Sequence, residues 1–269
     1  MSRTPDPTHG FVRSVSRSLA ACELLHLARQ KFDLARARQQ HAAYVRALED
    51  AGVHVTVLPE EPDLPDAVFV EDTAVMLDEL AVLGRLGLAS RAREGELIAS
   101  EIERVRKLFF IQAPAKLEGG DVLRVGKTLF VGRSTRTNQT GIDQLREIMA
   151  PFGYSVIAVG VTGCLHLKTG ATAPAPGLIL VNPAWIDVAA FRGREVLSVP
   201  ETEPWGANVL PVNDQVLVAA SSPGMAEILK ARGLNVRSLE ISELQKAEAG
   251  LTCLSLLYSE RSEPPGPRC

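Results

Sequence analysis

The feature that most constrains the fold is a unit that recurs along the chain: a β-hairpin, then a helix, then a further strand. In the clearest copy, strands over residues 122–125 and 129–131 flank a tight turn, a helix is predicted over 136–150, and a strand follows over 154–159. The helix is predicted because its apolar residues recur on one face at helical spacing. One such unit cannot bury its apolar face alone, so several units must pack against one another.

Further copies of this unit fill the rest of the chain, and one of them is shared between the two chain ends. They are a hairpin over 209–218 with a helix over 222–232 and a strand over 235–239; a hairpin over 72–84 with a helix over 93–108 and a strand over 109–112; a degenerate hairpin over 178–187 with a strand over 195–199; and a C-terminal strand over 252–258 joined to an N-terminal strand over 10–15, a helix over 33–51 and a strand over 53–58. Closed end to end, these units predict an α/β fold: a five-bladed pseudo-symmetric propeller of ββαβ repeats with a central site. An open doubly wound sheet is the alternative, less favoured because tight hairpins form antiparallel pairs.

The bulk composition favours a globular protein and excludes several classes of partner. The chain has 269 residues, 46% of them hydrophobic, and a formal net charge of -3. It has no basic block of the kind that binds nucleic acid, and no apolar run near the roughly 20 residues that a membrane span requires. We predict a single domain over residues 1–261, followed by a Pro-rich disordered tail over 262–269.

Cysteine usage and the N-terminal sequence favour a cytoplasmic protein. Residues 1–10 are polar and lack the apolar core of a signal peptide. The 4 cysteines form neither a CxxC pair nor a zinc-finger spacing. We therefore expect reduced thiols and no structural metal.

Three short motifs far apart in the chain each offer one reactive side chain in an apolar or glycine-rich setting. They contain Glu118 before two glycines, His166 between two leucines, and Cys253 in an apolar segment near the C-terminus. A thiol can attack an electrophilic carbon, an imidazole can move protons near neutral pH, and a carboxylate can hold a cation. The three residues together predict nucleophilic catalysis on a cationic carbon. Any one of the motifs alone would be a much less specific signal.

Two further sets of charged residues describe the expected ligand. Asp66, Glu71 and Asp72 lie inside an apolar stretch, which is unlike a solvated acidic surface and indicates an anionic pocket. Arg91 and Arg136 follow equivalent hairpins, and a guanidinium group binds a carboxylate through paired hydrogen bonds. A small molecule with a cationic end and a carboxylate end accounts for both sets, so the predicted ligand is an amino acid of the arginine type.

These residues and their order resemble the dimethylarginine dimethylaminohydrolases of the guanidine-modifying superfamily. The resemblance extends from about residue 9 to 258. The segments that carry it are residues 33–44, 64–72, 117–122, 130–138, 165–168, 207–208, 242–244 and 250–255. It implies a five-bladed α/β propeller that hydrolyses asymmetric dimethylarginine or monomethylarginine to citrulline and dimethylamine or methylamine, through a covalent thiouronium intermediate on cysteine.

The resemblance also implies a role for each site residue, and no metal or organic cofactor. Cys253 would be the nucleophile, His166 the general acid and base, and Glu118 the anchor of the guanidinium group. The implied substrate-binding residues are Asp72 beside Glu118 on the guanidinium group, Asp66 and the backbone near Leu24 on the α-amino group, Arg91 and Arg136 on the α-carboxylate, and Glu71 as a supporting carboxylate. The loop over residues 19–31 would cover the site.

Other functions remain open at the level of sequence. An arginine deiminase that acts on free arginine or a related guanidino compound would use the same nucleophile, base and carboxylates. Such deiminases usually carry an added helical domain, for which this chain has no room. A catalytically silent ligand-binding protein is a less favoured alternative, because Cys253, His166 and Glu118 are all present. A homodimer is compatible with the sequence.

Overall fold

The computed structural model describes residues 6–260 and contains five sheets of three strands each. The strands, numbered in chain order, are β1 His9–Arg13, β2 His54–Leu58, β3 Ala74–Met76, β4 Leu80–Leu83, β5 Lys107–Phe110, β6 Val122–Val125, β7 Thr128–Arg133, β8 Ser155–Gly160, β9 Ala171–Ala175, β10 Leu178–Val181, β11 Glu195–Ser198, β12 Leu210–Val212, β13 Gln215–Ala219, β14 Asn235–Leu239 and β15 Leu256–Tyr258. The α-helices are α1 Leu34–Asp50, α2 Glu96–Val105, α3 Gln139–Met149, α4 Leu167–Gly170, α5 Pro223–Ala231 and α6 Ser242–Gln245.

Every sheet has the same topology and forms one blade of a propeller. The inner strand pairs antiparallel with the middle strand, and the middle strand pairs parallel with the outer strand. In strand order from the axis outward, blade 1 is β15-β1-β2, blade 2 is β3-β4-β5, blade 3 is β6-β7-β8, blade 4 is β9-β10-β11 and blade 5 is β12-β13-β14. The predicted five-bladed α/β propeller is confirmed, and the open doubly wound sheet is excluded.

The two chain ends close the ring within blade 1. The C-terminal strand β15 lies antiparallel to the N-terminal strand β1, with Phe11 opposite Leu256 and His9 opposite Tyr258. Phe11 and Leu256 are both buried in the core between blades 1 and 2. The blade shared between the chain ends is therefore present as predicted, and it joins residues separated by almost the whole chain.

The hydrophobic core is divided into five clusters, one at each contact between neighbouring blades. In the cluster between blades 2 and 3, Val82 of β4 packs with Leu129 of β7 and with Ile142 and Leu145 of α3. All of these side chains are inaccessible to solvent. The apolar face that a single blade cannot bury alone is thus covered by the next blade, which is the physical reason for the ring.

Two helices begin directly after an N-cap residue whose side chain accepts a backbone amide of the first turn. The Asp33 carboxylate accepts the Arg36 amide at 3.0 Å before α1, and the Asn138 side chain accepts the Gly141 amide at 2.9 Å before α3. Because an Asn or Asp at this position satisfies an otherwise unpaired amide, it fixes the first turn. The predicted helix over 136–150 accordingly begins three positions later than expected, at Gln139.

Blade 4 differs from its prediction. The strand at Leu178–Val181 pairs with β9, which precedes it, and residues 185–187 form no second arm of a hairpin. The prediction was wrong because β9 reads Ala-Thr-Ala-Pro-Ala, a sequence with weak strand propensity. A short 3₁₀ segment at Val188–Phe191 takes the place of the crossover helix, and the Phe191 ring lies 4.9 Å from the Phe130 ring.

Other boundaries also differ from the prediction. The helix expected over 93–108 occupies only Glu96–Val105, and the following strand begins at Lys107. The strand expected over 252–258 is confined to β15, preceded by a 3₁₀ turn at Thr252–Leu254. Within the described residues, no helix is long and apolar enough to cross a membrane. The tail predicted over 262–269 lies outside the described residues.

Candidate active site

Four short turns position most of the predicted reactive and anionic residues, either within the turn or at the residue just before it, and each turn leads into the inner strand of a blade. They are the 3₁₀ turns Val70–Thr73, Gly119–Asp121 and Thr252–Leu254 and the short helix α4, which lead into β3, β6, β15 and β9 respectively. The turn at Val70–Thr73 contacts the turns at Gly119–Asp121 and Thr252–Leu254. The turn at Gly119–Asp121 also contacts α4. Because the blades repeat one topology, these equivalent positions meet at one end of the ring axis.

The segment around Asp66 and Asp72 forms two successive turns. Residues 65–68 form a turn, and Val70–Thr73 form a 3₁₀ turn in which every side chain is buried. Glu71 and Asp72, although adjacent, belong to separate hydrogen-bond networks: Glu71 bonds to Lys168 and Thr252, and Asp72 bonds to Arg91. The inference that these carboxylates belong to a buried anionic site agrees with their burial.

Glu118 and His166 form a buried hydrogen-bonded pair. Glu118 Oε2 lies 2.7 Å from His166 Nε2, and Glu118 Oε1 accepts the Gly87 amide at 2.8 Å. Burial by itself lowers the pKa of the His166 imidazole, but the surrounding carboxylates of Asp72, Glu118 and Asp121 raise it to about 9. Burial raises the pKa of Glu118, but the bond to His166 and the nearby arginines lower it to about 2. At neutral pH the pair is therefore an imidazolium and a carboxylate.

Asp72 and Gly120 complete the surroundings of the imidazole. Asp72 Oδ1 lies 3.7 Å from His166 Nδ1, is buried, and has no hydrogen-bond partner among the described residues. A Cβ atom on Gly120 would lie 2.6 Å from Asp72 Oδ1 and 2.7 Å from His166 Nδ1, which is closer than such atoms can approach. The glycine is thus required for the close approach of these two side chains.

His166 itself is placed at the start of α4 and not at the end of a strand. Its backbone amide donates to the Thr169 hydroxyl at 3.4 Å, and the Thr169 amide donates back to the His166 carbonyl at 3.1 Å. Asp121 supports the same turn, because its carboxylate accepts the Leu167 amide at 2.9 Å and the Ser134 hydroxyl at 2.6 Å. The bond to Leu167 connects residues 46 positions apart in the chain, and it holds the turn that carries the imidazole in place.

Cys253 is half-buried in the 3₁₀ turn Thr252–Leu254. Its Sγ atom accepts the Gly250 amide at 3.3 Å. Burial, and then the charges of Glu71 and Asp72, raise the pKa of the Cys253 thiol to about 12, while the Gly250 amide and Lys168 act in the opposite direction. The thiol is therefore protonated at neutral pH, and its conversion to the reactive thiolate requires a further positive charge nearby.

A second buried network joins the turn of His166 to the turn of Cys253. Glu71 is buried; it lies 2.5 Å from Lys168 Nζ and accepts the Thr252 hydroxyl at 2.7 Å. The Asn208 amide group donates to the Lys168 carbonyl at 2.8 Å and to the Thr252 hydroxyl at 3.1 Å. Glu71 and Lys168 also line a cavity of about 260 Å³ enclosed by the inner strands.

The two predicted carboxylate-binding arginines both face the Glu118 carboxylate. Arg136 Nη1 lies 3.5 Å from Glu118 Oε1, and Arg91 Nη1 lies 3.8 Å from Glu118 Oε2. Arg91 is also engaged by Asp72 Oδ2 at 2.9 Å and by both oxygens of Glu94. The structure therefore brings these arginines to the site, and their role on an α-carboxylate remains a prediction.

Asp66 and Leu24 lie where the loop over residues 22–30 meets the site. Asp66 is buried, and its Oδ2 atom accepts the Glu23 amide at 3.1 Å. Burial raises the pKa of Asp66, although the positive charges of Arg91 and Arg136 oppose this effect. Leu24 is half-buried against the core cluster that also contacts Cys253. The loop expected to cover the site is thus in contact with it.

Asp72, Glu118 and His166 also have the donor atoms of a metal site, within 4.8 Å of one another. Binding an ion there would replace the 2.7 Å bond between His166 and Glu118 and would add a metal cation to the two arginines that already pair with these carboxylates. The arrangement fits proton transfer and binding of a planar organic cation better, so we assign no metal.

Sequence reasoning gave no role to several residues that the structure places in these networks. Lys168, Asn208 and Thr252 lie within or beside the motif segments, and Glu94 follows Arg91 by one helical turn. The only sequence signal that could have marked these residues is an isolated polar residue within an apolar segment. It could not identify the partners, because Thr252 and Glu71 are 181 positions apart.

The comparisons with known proteins agree with this geometry. A family model described as "N,N dimethylarginine dimethylhydrolase, eukaryotic" matches residues 26–178. An N(G),N(G)-dimethylarginine dimethylaminohydrolase of Streptomyces coelicolor is 37% identical over 252 residues, which span 93% of this chain and 96% of that protein. The chain belongs to the dimethylarginine dimethylaminohydrolase family.

Two solved structures of family members share the fold over almost their whole length. A dimethylarginine dimethylaminohydrolase from Pseudomonas aeruginosa, a Cys-to-Ser variant complexed with citrulline, has a TM-score of 0.88 and 32% identity, covering 94% of this chain and 100% of that one. A His-to-Gly variant in an adduct with S-methyl-L-thiocitrulline has a TM-score of 0.89 and 33% identity with the same coverage. Both ligands are α-amino acids whose side chains are related to that of arginine.

Proposed function

We propose that this protein hydrolyses Nω-methylated arginines, asymmetric dimethylarginine and monomethylarginine, to citrulline and dimethylamine or methylamine. The observation that carries the proposal is the buried hydrogen-bonded pair of His166 and Glu118, with Asp72 3.7 Å from the imidazole in a turn that contacts the turn of Cys253. Membership of the family, and relatives complexed with citrulline or carrying a thiocitrulline adduct, support it. The substrate class is therefore a guanidino amino acid.

The charge states suggest how the substrate would start the reaction. The bound guanidinium group would lie against Asp72 and Glu118, whose fixed carboxylates match a planar cation. Its positive charge would stabilise the Cys253 thiolate, so that the thiol proton leaves to solvent and the thiolate attacks the central carbon of the guanidinium group. His166, protonated at the start, would transfer its proton to the departing dimethylamine as the C–N bond breaks.

The second half of the reaction would use the same imidazole in its neutral form. A cysteine-bound thiouronium group remains after the amine has left. Neutral His166 would remove a proton from water as the water attacks this carbon, and the C–S bond then breaks to release citrulline. The imidazole is thereby returned to its protonated state. The second proton of the attacking water is released as the carbonyl of citrulline forms, which balances the proton that the thiolate takes up to restore the thiol. Asp66, Leu24, Glu71, Arg91 and Arg136 are proposed to hold the amino-acid portion and support the site.

A citrulline assay tests this function. Purified protein is incubated with asymmetric dimethylarginine, monomethylarginine and arginine in parallel, and citrulline is measured. We expect citrulline from the methylated substrates and none with Cys253→Ser, whose hydroxyl is a far weaker nucleophile. The matched control is Cys164→Ser: this buried thiol donates to the His166 carbonyl, which a hydroxyl can also do, so activity should be retained.

Two other outcomes of the assay would decide against the proposal. Citrulline from arginine alone would identify an arginine deiminase. No citrulline from any of the three compounds, together with no substrate-derived mass added to Cys253, would favour a ligand-binding protein without catalytic activity.

A cytoplasmic location and a homodimer belong to the same proposal. A reducing compartment keeps a nucleophilic thiol in its active form, and Cys22, Cys164 and Cys253 are unpaired. The outer strands carry exposed apolar side chains, namely Val57, Phe110, Ile157 and Val196, which a second copy could cover. Sedimentation velocity of the purified protein measures the oligomeric state.

A further inference from the structure

Glu248 holds the loop over residues 22–30, here called the lid, against the segment that carries Cys253. A single carboxylate oxygen, Glu248 Oε1, accepts the backbone amides of Leu25, His26 and Leu27 at 2.9, 2.6 and 2.7 Å. These are charge-assisted hydrogen bonds, which are shorter and stronger than bonds between neutral groups. Glu248 is buried, although no sequence motif assigns it a role.

The backbone at Glu248 indicates that this contact is specifically built. Glu248 has a φ of 60°, in the left-handed region that side chains other than glycine rarely adopt. Asn213 is the other such residue in the described part of the chain, and it lies in the hairpin turn between β12 and β13. At Glu248 the left-handed conformation follows α6 and directs the carboxylate to the lid amides.

The lid is attached on the opposite side of the site as well. The Glu23 amide donates to Asp66 Oδ2 at 3.1 Å, and the Glu23 carboxylate accepts the Ser90 hydroxyl at 2.6 Å. Ser90 directly precedes Arg91, and Glu248 lies five residues before Cys253. The lid therefore spans the catalytic residues, from the Asp66 and Arg91 side to the Cys253 side.

We propose that Glu248 is a positioning residue that sets substrate affinity by holding the lid closed over the site. A substrate that enters or leaves beneath the lid must break these three hydrogen bonds, while the reacting atoms lie with Cys253, His166 and Glu118 and not with Glu248. Loss of the carboxylate should therefore act on binding more than on chemistry. This inference rests on the proposed hydrolysis of methylated arginines.

The test combines three variants with two measurements on the full chain. Glu248→Gln removes the charge, Glu248→Asp keeps it on a shorter side chain, and Glu203→Gln is the matched control. Glu203 also accepts two consecutive backbone amides, of Gly224 and Met225 at 2.7 and 2.8 Å, and lines the same cavity as Glu248, but these hydrogen bonds hold the start of α5 and not the lid. Hydrogen–deuterium exchange is measured for the peptide over residues 24–28, and KM and kcat are measured for asymmetric dimethylarginine.

We expect Glu248→Gln to speed exchange in the lid peptide by about tenfold or more, since the three amides lose an anionic acceptor. KM should rise about tenfold while kcat changes by less than about threefold, as expected for loss of binding that is equal in the ground and transition states. Glu248→Asp, which keeps the charge, should change lid exchange and KM much less than Glu248→Gln does. Glu203→Gln should leave lid exchange and KM unchanged.

Unchanged lid exchange in Glu248→Gln would overturn the inference, as would a fall in kcat with KM unaltered. A rise in KM in the Glu203→Gln control would also overturn it, because the effect would then be one of general stability. If the wild-type protein forms no citrulline, the proposed function fails. The exchange measurement would still decide whether Glu248 holds the lid.

Discussion

The charge of His166 couples the state of the active site to the stability of the fold. The surrounding carboxylates raise the pKa of the His166 imidazole from its ordinary value of 6.5 to about 9 in the folded protein. The protonated imidazole therefore stabilises the fold fully below pH ~6.5, and this contribution is lost as the pH rises through about 9. We expect the free energy of unfolding in urea to fall by on the order of 1–3 kcal/mol between pH 6.5 and 9.5.

The His166→Gln variant is the control for this prediction. Glutamine can still donate to Glu118 but does not titrate, so the fall over this pH range should be much smaller. The lowered pKa of Glu118 affects stability at acid pH. The ionised Glu118 carboxylate stabilises the fold above pH ~4.5, and this stabilisation is lost as the pH falls towards 2. Equal slopes for the two proteins above pH 6.5 would show that His166 is not the titrating group.

The raised pKa of Cys253 predicts slow alkylation in the absence of substrate. Because the pKa of the thiol is about 12, the thiolate fraction should grow about tenfold for each pH unit between 7 and 10. The rate of iodoacetamide modification, followed by mass spectrometry of the peptide that contains Cys253, measures this dependence. A rate that levels off near pH 8 would instead indicate a thiolate already stabilised in the free protein.

At the scale of elements, the ion pair of Glu71 and Lys168 joins two turns from different blades. Lys168→Met leaves the buried Glu71 carboxylate without its cation, so we expect destabilisation of about 3–5 kcal/mol. The matched control is Lys230→Met in the exposed pair with Glu227, which should cost about 0–1 kcal/mol. Chemical denaturation measures both, and equal effects of the two substitutions would contradict the importance of the buried pair.

At the scale of the whole molecule, β15 closes the ring. A chain that ends at Ser255 lacks the inner strand of blade 1 and exposes Phe11 and the rest of the core between blades 1 and 2. We expect it to lose the cooperative thermal unfolding of the full chain, as measured by calorimetry. The matched control ends at Glu260 and keeps every strand, so its melting temperature should match that of the full chain.

This pair of truncations also tests the predicted single domain over residues 1–261. If the chain that ends at Ser255 unfolds cooperatively at a similar temperature, blades 2–5 form a stable unit without blade 1. The ring would then be an assembly of independent parts, because its stability would not depend on closure.

Much of the ring could be predicted because its signals are local. The Gly126–Lys127 turn, the alternating apolar strands beside it and the helical spacing of Ile142 and Leu145 each depend on neighbouring residues, and blade 3 formed nearly as expected. Blade 4 was misassigned where the local signal is weak: the strand Ala171–Ala175 is held by pairing with β10.

The sequence by itself determined the reactive residue types, the repeated topology and the charge pattern of the ligand, since each depends on side-chain chemistry or short-range periodicity. Only the tertiary structure decided which groups meet: Glu118 with His166, Glu71 with Lys168 and Thr252, and Glu248 with the lid amides. These contacts, and the pKa values that depend on them, follow from burial and close approach between residues distant in the chain. Spacing along a sequence carries no such information.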